Sequence, residues 1–149
     1  MHHRLNASQF LVGLLLFSSA PALVVPALAH NVEISGDVAA TFHLEPNHNP
    51  KAGEPAKVWF ALTRKGGATI PLEKCDCQLA IYSLPRAANA KPLMMPVLKS
   101  INAERYKGIP GADVVFPRAG SYELEFSGSA KGGGDFRAFQ MKYRVNVSR

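Results

Sequence analysis

Two cysteines, Cys75 and Cys77, lie at a spacing that suits metal or redox chemistry. In a β-strand, residues two apart lie on the same side with α-carbons about 6.5 to 7 Å apart, near the limit for a disulfide. A disulfide between them would be strained and easily reduced, which would make them a redox pair. As thiolates, they could instead chelate Cu(I) or Zn(II). They also continue the apolar pattern of Leu79 and Ile81, so filling a hydrophobic core is an equally open alternative.

Three histidines are further candidate ligands. His43 lies on the polar side of a predicted strand, and His48 lies in a turn-rich loop that could bring it near His43. His30, as the first residue after a predicted cleavage site, would offer an α-amine and an imidazole nitrogen that together suit Cu(II). The alternatives are solvated surface histidines and a frayed terminus. The candidate metal ligands are therefore His30, His43, His48, Cys75 and Cys77.

Other reactive residues give weaker signals. Met94 and Met95 could add thioether ligands for Cu(I) or pack an irregular edge, and Trp59 is predicted to be a structural aromatic. The sequence has no Ser-His-Asp order, no paired catalytic carboxylates and no H-E-x-x-H motif. Its glycine run, Gly132–Gly134, lacks the lysine and helix of a phosphate-binding loop. We therefore predict that the protein is not an enzyme.

The first 29 residues have the pattern of a signal peptide. Arg4 is their one charged residue, an apolar run covers residues 10–17, and Ala27-Leu28-Ala29 is a signal-peptidase site. An uncleaved membrane anchor is the alternative, but the prolines and the cleavage site argue against it. We predict a signal peptide over residues 1–29 and a mature domain over residues 30–149. That domain would lie in the periplasm or an equivalent extracytoplasmic compartment, with no stable membrane span after cleavage.

The composition is that of an ordinary globular domain. Of the 149 residues, 47% are apolar and 19% are charged, which excludes a disordered or multi-span membrane chain. The formal net charge of +6 is scattered singly rather than clustered with aromatic residues, so nucleic-acid binding is not predicted. Glu123 and Glu125 are predicted to face Gln140, Lys142 and Arg144 across two strands, as an ion-pair ladder rather than a binding patch.

Apolar and polar residues alternate with a period of two along most of the mature chain, which predicts an all-β domain. Between Pro85 and Pro110, prolines favour an edge strand and a long connection over a central strand. The predicted inward-facing sets are Val38, Ala40, Phe42 and Leu44; Val58, Phe60 and Leu62; Val114 and Phe116; Tyr122, Leu124 and Phe126; and Phe139, Met141, Tyr143, Val145 and Val147.

About seven short strands at this spacing predict an immunoglobulin-like antiparallel β-sandwich. The segment Gly120-Ser121-Tyr122 resembles a tyrosine corner, in which the Tyr122 hydroxyl bonds back to the preceding turn. Leu124 occupies the position of the second core cysteine of antibody domains, so Cys75 and Cys77 cannot form that inter-sheet bridge.

Four features of the sequence point to a family: the signal peptide, His30 as the first mature residue, residues 51–55 (KAGEP) before a strand, and residues 116–122 (FPRAGSY). By these features, the chain resembles exported immunoglobulin-like domains of the CopC, YtkA and FixH type. The resemblance implies this fold. CopC-branch members carry copper on an N-terminal histidine and on later histidine and aspartate ligands, and of these only the first maps here, onto His30.

The residues and the resemblance together predict an exported, non-catalytic module that binds or delivers copper. Its partner would be the copper ion or a copper-receiving protein. The alternative is a periplasmic protein-interaction or assembly domain that works without metal.

Overall fold

The computed structural model describes residues 31–132 and 135–149, and in these ranges the chain forms eight strands. The predicted signal peptide, His30 and two glycines of the run Gly132–Gly134 lie outside the described residues. No helix in the described ranges is long and apolar enough to cross a membrane. The strands are β1 (Asn31–Ser35), β2 (Val38–Glu45), β3 (Pro55–Arg64), β4 (Cys75–Ser83), β5 (Lys99–Ala103), β6 (Tyr106–Val115), β7 (Gly120–Ala130) and β8 (Phe139–Val147).

Two antiparallel sheets form a sandwich. One sheet has the order β1-β2-β3-β6-β5 and the other the order β4-β7-β8. Without β1, the seven strands β2 to β8 follow the ABED and CFG order of a constant-type immunoglobulin domain. The predicted all-β class and immunoglobulin-like sandwich are confirmed, and β1 is an eighth strand added at the edge of the larger sheet.

The core between the sheets consists of the inward-facing residues that the alternation predicted. Phe60 of β3 stacks on Phe126 of β7 with ring centroids 4.0 Å apart and an 8° angle between the planes. Phe42 of β2 stacks on Tyr143 of β8 at 4.8 Å. These four rings join strands of opposite sheets, so they hold the two layers together.

Strand β3 is buried on both faces, which the alternation did not predict. Trp59 and Ala61 point away from the main core, yet they are only 1% and 0% exposed. They form a second small cluster with Ile109, and Ile101 and Tyr106 pack against it. Because β3 is an inner strand with side chains from β5 and β6 over its outer face, both of its faces are shielded from water.

The segment between Pro85 and Pro110 agrees only partly with its prediction. Strand β5 lies at a sheet edge and a long connection precedes it, as expected. Residues 106–110, however, belong to β6, which lies between β3 and β5. Pro110 is tolerated there because β6 pairs with β3 only from Gly111 onward, so the missing N–H of Pro110 is not needed for that ladder.

The tyrosine corner is present at the start of β7. The Tyr122 hydroxyl donates a hydrogen bond to the carbonyl of Arg118 at 2.7 Å, and Tyr122 packs against Phe116 at 4.9 Å. Leu124, two residues further along, is fully buried. The contact fixes the connection between β6 and β7, and with it the crossing from one sheet to the other.

Tyr143 is expected to make the fold sensitive to alkali. Burial, with a smaller contribution from the charge of Glu33, raises the pKa of Tyr143 above its ordinary value near 10. Its hydroxyl donates to the Ala40 carbonyl at 3.2 Å. Above pH ~10 the unfolded chain ionises at this tyrosine while the folded chain does not, so its stabilising contribution is complete below pH ~10 and is lost as the pH rises.

Urea unfolding between pH 8 and 11 tests this expectation. Tyr143→Phe is expected to cost about 1 kcal/mol at pH 8, from the lost hydrogen bond, and to lose less stability than the wild type as the pH rises. Equal pH slopes for the two proteins would contradict it.

Candidate functional site

The outer face of the larger sheet carries a pair of histidines in contact. His43 on β2 and His48 in the following loop have ring centroids 4.5 Å apart, with an angle of 61° between the rings. Both side chains are partly buried. The structure therefore brings together two of the predicted ligands, through the loop that the sequence analysis pointed to.

Local backbone geometry turns His48 back toward β2. The backbone N–H of His48 donates to the Leu44 carbonyl at 2.8 Å, and that of Asn49 donates to the Pro46 carbonyl at 3.1 Å. Asn47 and His48 have φ values of 51° and 53°, in the left-handed region where asparagine and histidine are enriched among non-glycine residues. The tight turn places the His48 ring beside the strand that it has just left.

Trp59 forms the base under His43. The two rings are stacked with centroids 4.5 Å apart and an angle of 7° between their planes, because His43 and Trp59 are Cα partners on neighbouring strands. The Trp59 indole Nε1 donates to Glu45 Oε1 at 3.1 Å. His43 is thus held against a rigid aromatic surface, which restricts the orientations of its imidazole.

This geometry suits a shared metal ion. Histidine nitrogens bind Zn(II) at about 2.0 to 2.1 Å and imidazole also suits copper, and two rings in contact can each present one nitrogen to the same ion. Two imidazoles leave coordination positions open for further ligands. An ion held by this pair would therefore need at least one further donor.

Cys75 and Cys77 form a disulfide, with α-carbons 5.2 Å apart. This separation is shorter than the regular strand repeat expected from the sequence and lies inside the usual range for a disulfide, so the pair is not at the geometric limit. Cys75 belongs to the main core and Cys77 packs partly buried against it, which agrees with the predicted apolar pattern. In the oxidised protein both sulfurs are bonded to each other, so they could bind a metal only after reduction.

The candidate ligands divide between two places. The histidines lie on the outer face of the larger sheet, whereas Cys75 belongs to the core between the sheets. Within residues 31–132 and 135–149, no group of three or more histidine, cysteine, aspartate or glutamate side chains is arranged to hold a metal ion. His30, the remaining candidate, lies outside the described residues.

Met94 and Met95 also lie apart from the histidines. Met94 packs against the main core and exchanges backbone hydrogen bonds with Ile81 of β4, while Met95 is exposed on the opposite side of the chain. The structure thus agrees with the alternative that Met94 packs an irregular edge.

On the outer face of the smaller sheet, the predicted ion-pair ladder is confirmed for Lys142 and Gln140, while Arg144 is the Cα partner of Glu123. Lys142 Nζ lies 3.8 Å from carboxylate oxygens of both Glu123 and Glu125, and Gln140 Nε2 donates to Glu125 at 2.6 Å. The strand pattern did not predict the part played by Arg86, which lies outside the strands and donates to Glu123 and Glu125 at 2.6 and 3.1 Å.

Arg86 also stacks over the Tyr82 ring, with its guanidinium carbon 3.6 Å from the centroid. Desolvation lowers the pKa of Arg86. The hydrogen bond and the charge of Glu123 raise this pKa, and so do hydrogen bonds to Glu125 and Tyr82. Together they outweigh desolvation, so the pKa of Arg86 lies above its usual value. The acidic side chains of this face are therefore occupied by intramolecular partners, which favours a structural role for the cluster.

Replacing Arg86 by methionine is expected to destabilise the protein, because two neighbouring carboxylates lose the nearer of the two cations that they share. The same replacement in a Glu123→Gln, Glu125→Gln background is expected to cost clearly less. Urea unfolding of the four proteins measures the coupling. Equal costs in both backgrounds would show that Arg86 acts through its packing on Tyr82.

The sequence matches no protein-family model and no curated protein. Among solved structures, the chain is similar to the crystal structure of a DUF4426 family protein from Pseudomonas aeruginosa PAO1, with a TM-score of 0.52 and 12% sequence identity. The match covers 79% of this chain and 96% of that one. At this identity the likeness supports the β-sandwich fold alone.

Proposed function

We propose that the protein is an exported, non-catalytic module that binds copper through His43 and His48 and passes it to a copper-receiving protein. The observation that carries the proposal is the 4.5 Å contact between the two imidazoles on the outer face of the sheet. Two neutral imidazoles are good ligands for copper, and Trp59 fixes the orientation of one of them. The resemblance to the CopC, YtkA and FixH type is consistent with this proposal.

His30 is the proposed third member of the site. It is bonded to Asn31, the first residue of β1, and the Cα partner of Asn31 is Phe42, next to His43 in the chain. Signal cleavage before His30 would add the α-amine as a fourth nitrogen donor, and four nitrogens suit Cu(II).

Trp59 provides a direct readout for this site, because it is the one tryptophan in the sequence and stacks on His43. Titrating Cu(II) into the oxidised mature protein is expected to quench Trp59 fluorescence at one equivalent. His43→Phe keeps an aromatic ring over Trp59 and removes its nitrogens, and His48→Asn keeps a residue that tolerates the left-handed backbone. Each is expected to weaken binding about tenfold or more, or about 1.4 kcal/mol.

The controls separate this site from other copper-binding groups. Met95→Leu changes an exposed sulfur elsewhere and is expected to leave the titration unchanged. One extra glycine before His30 moves the α-amine away from the imidazole and is expected to weaken binding if His30 takes part. If the His43→Phe, His48→Asn double variant binds copper as tightly as the wild type, the proposed site is wrong.

A second candidate function is protein interaction without metal, and the connection before β5 favours it. From Lys91 to Lys99 every second side chain is exposed, which places Leu93, Met95 and Val97 on one side at 49%, 50% and 78% exposure. We define these three residues as the 93–97 stripe. Pro92 and Pro96 remove backbone donors, so a partner would contact side chains rather than add a strand.

Affinity capture from the native compartment, with a metal chelator present, distinguishes the two functions. Interaction through the stripe predicts a partner that the wild type and the His43→Phe, His48→Asn variant both retain. A variant with serine at all three positions of the 93–97 stripe would lose it. A partner that the wild type retains only when copper replaces the chelator, and that the histidine variant does not retain, would favour the copper proposal.

A further inference from the structure

The Cys75–Cys77 disulfide closes a very small loop, with a single residue between its ends. The entropy that a disulfide removes from the unfolded chain grows with the number of residues that it encloses, so this bond constrains the unfolded chain very little. The sandwich is instead held together by a large apolar core that includes the stacked rings of Phe60 and Phe126. The fold therefore does not need the bond, and its reduction is expected to leave the sandwich intact.

The two cysteines differ in their exposure to solvent. Cys75 is 3% exposed, whereas Cys77 is only partly buried on the same edge strand. Both sulfurs lie against Gly128 of β7, where a Cβ atom would be 2.7 Å from Cys75 Sγ and 3.0 Å from Cys77 Sγ. Because glycine has no side chain, Gly128 leaves room for the two bonded sulfurs. Cys77 is thus the more exposed residue of the pair, and Cys75 is the buried one.

We propose that Cys75–Cys77 is a thiol–disulfide exchange site whose substrate is an external thiol, either a dithiol protein or a small thiol of the glutathione type. The external thiolate attacks Cys77 Sγ, a mixed disulfide forms there, the Cys75–Cys77 bond breaks, and Cys75 leaves as a thiolate that takes up a proton.

A second external thiolate then attacks the external sulfur of the mixed disulfide and releases Cys77 as a thiolate, which is also protonated. Two electrons and two protons pass to the protein, and the external thiols become a disulfide. The reverse sequence oxidises the protein. The site is separate from the histidine pair, so this proposal holds whether or not those histidines bind copper.

Trapping with an alkylating agent followed by mass spectrometry tests the proposal on the folded, oxidised mature protein. The chain has two cysteines, so no added group marks the disulfide, two mark the dithiol, and one alkyl group with one bound external thiol marks the mixed disulfide. Millimolar reduced glutathione in native buffer is expected to give the doubly alkylated species while circular dichroism stays that of the folded protein. A bond that resists reduction until denaturant is added would overturn the proposal.

Parallel reactions distinguish the two possible substrates. A thioredoxin-class dithiol protein and glutathione are compared at equal thiol concentration. Faster reduction by the dithiol protein identifies a protein substrate, and faster reduction by glutathione identifies a small thiol. No reduction by either reagent overturns the proposal.

Single-cysteine variants test the direction of attack. Cys75→Ser leaves the thiol of the more exposed residue, Cys77, and Cys77→Ser leaves the thiol of the buried residue, Cys75. In the folded state, Cys75→Ser is expected to react with an aromatic disulfide at least about tenfold faster than Cys77→Ser, because thiol exchange depends on access to the sulfur. In denaturant, where both thiols are exposed, the difference should disappear. Equal rates in the folded state would contradict attack at Cys77.

Discussion

Replacing Phe126 by alanine is expected to lower the free energy of unfolding by about 3 to 5 kcal/mol. Phe126 is fully buried, stacks on Phe60 of the opposite sheet at 4.0 Å and contacts Phe139 at 5.5 Å. Alanine would leave a cavity between two layers whose backbones are fixed by their own ladders, so the core cannot close around it. A domain of this size has a stability of about 5 to 15 kcal/mol, so the loss is a large part of the total.

Urea or thermal unfolding measures this loss. Val97→Ala also removes apolar atoms, but Val97 is 78% exposed, so its expected change lies within about 0.5 kcal/mol. A cost below about 1 kcal/mol for Phe126→Ala would contradict the structure, because the two sheets could not then be packed through this pair of rings.

The sequence predicted the fold well where one face of a strand is buried. Alternation identified the inward residues of β2, β7 and β8, and the segment leading to Tyr122 identified the corner between β6 and β7. Strand β1 was not predicted because five residues with two apolar side chains give little periodicity. Those two side chains, Val32 and Ile34, are exposed, so alternation there does not mark a buried face.

Burial on both faces was harder to predict. Period-two alternation describes Val58 and Phe60 correctly, but it assigns Trp59 to the solvent side. The ring is covered by His43 of β2 and packed by Tyr106 of β6, and these contacts depend on which strands are neighbours. A single sequence does not contain that information. The position of Pro110 inside β6 could not be predicted for the same reason. The strand accepts a proline there because the β3–β6 ladder begins only at Gly111.

The candidate site was predictable in its residue types and only partly in its arrangement. A loop rich in asparagine and proline correctly suggested that His48 could return to His43. The stack on Trp59 and the contacts of Arg86 with two glutamates depend on tertiary structure. The cysteine separation expected for a regular strand was longer than the 5.2 Å observed, because the regular repeat does not describe two bonded residues at the start of an edge strand.

The sandwich separates two kinds of chemistry. The proposed copper ligands lie on the outer face of the larger sheet, and the disulfide belongs to the core on the side of the smaller sheet. With the disulfide intact, Cu(II) binding reports on the histidines alone. Without copper, thiol exchange reports on the cysteines alone. The two proposals can therefore fail or succeed independently.

Replacing Gly128 by alanine is expected to destabilise the oxidised protein by about 1 to 3 kcal/mol, the usual cost of overpacking a well-packed core. The added Cβ would lie 2.7 Å from Cys75 Sγ, 2.9 Å from Phe139 Cζ and 3.0 Å from Cys77 Sγ. The backbone of Gly128 is not in the left-handed region, so alanine meets no conformational barrier there. In a strand interior alanine should otherwise be favoured over glycine by about 0.5 to 1 kcal/mol.

The sign of the change in stability caused by Gly128→Ala distinguishes two roles for this glycine. A loss of stability indicates that the added Cβ atom is too close to its neighbours, and a gain indicates that only the backbone preference for alanine matters. When Cys75 and Cys77 are both alanine, two of the three close contacts disappear, so Gly128→Ala is expected to cost less there than with the disulfide present. Ser129→Ala, at an exposed neighbouring position of β7, is the matched control and should change stability by at most about 0.5 kcal/mol. Equal costs of Gly128→Ala in both backgrounds would assign the constraint to Phe139. A lower cost without the sulfurs would show that Gly128 is needed to accommodate the disulfide.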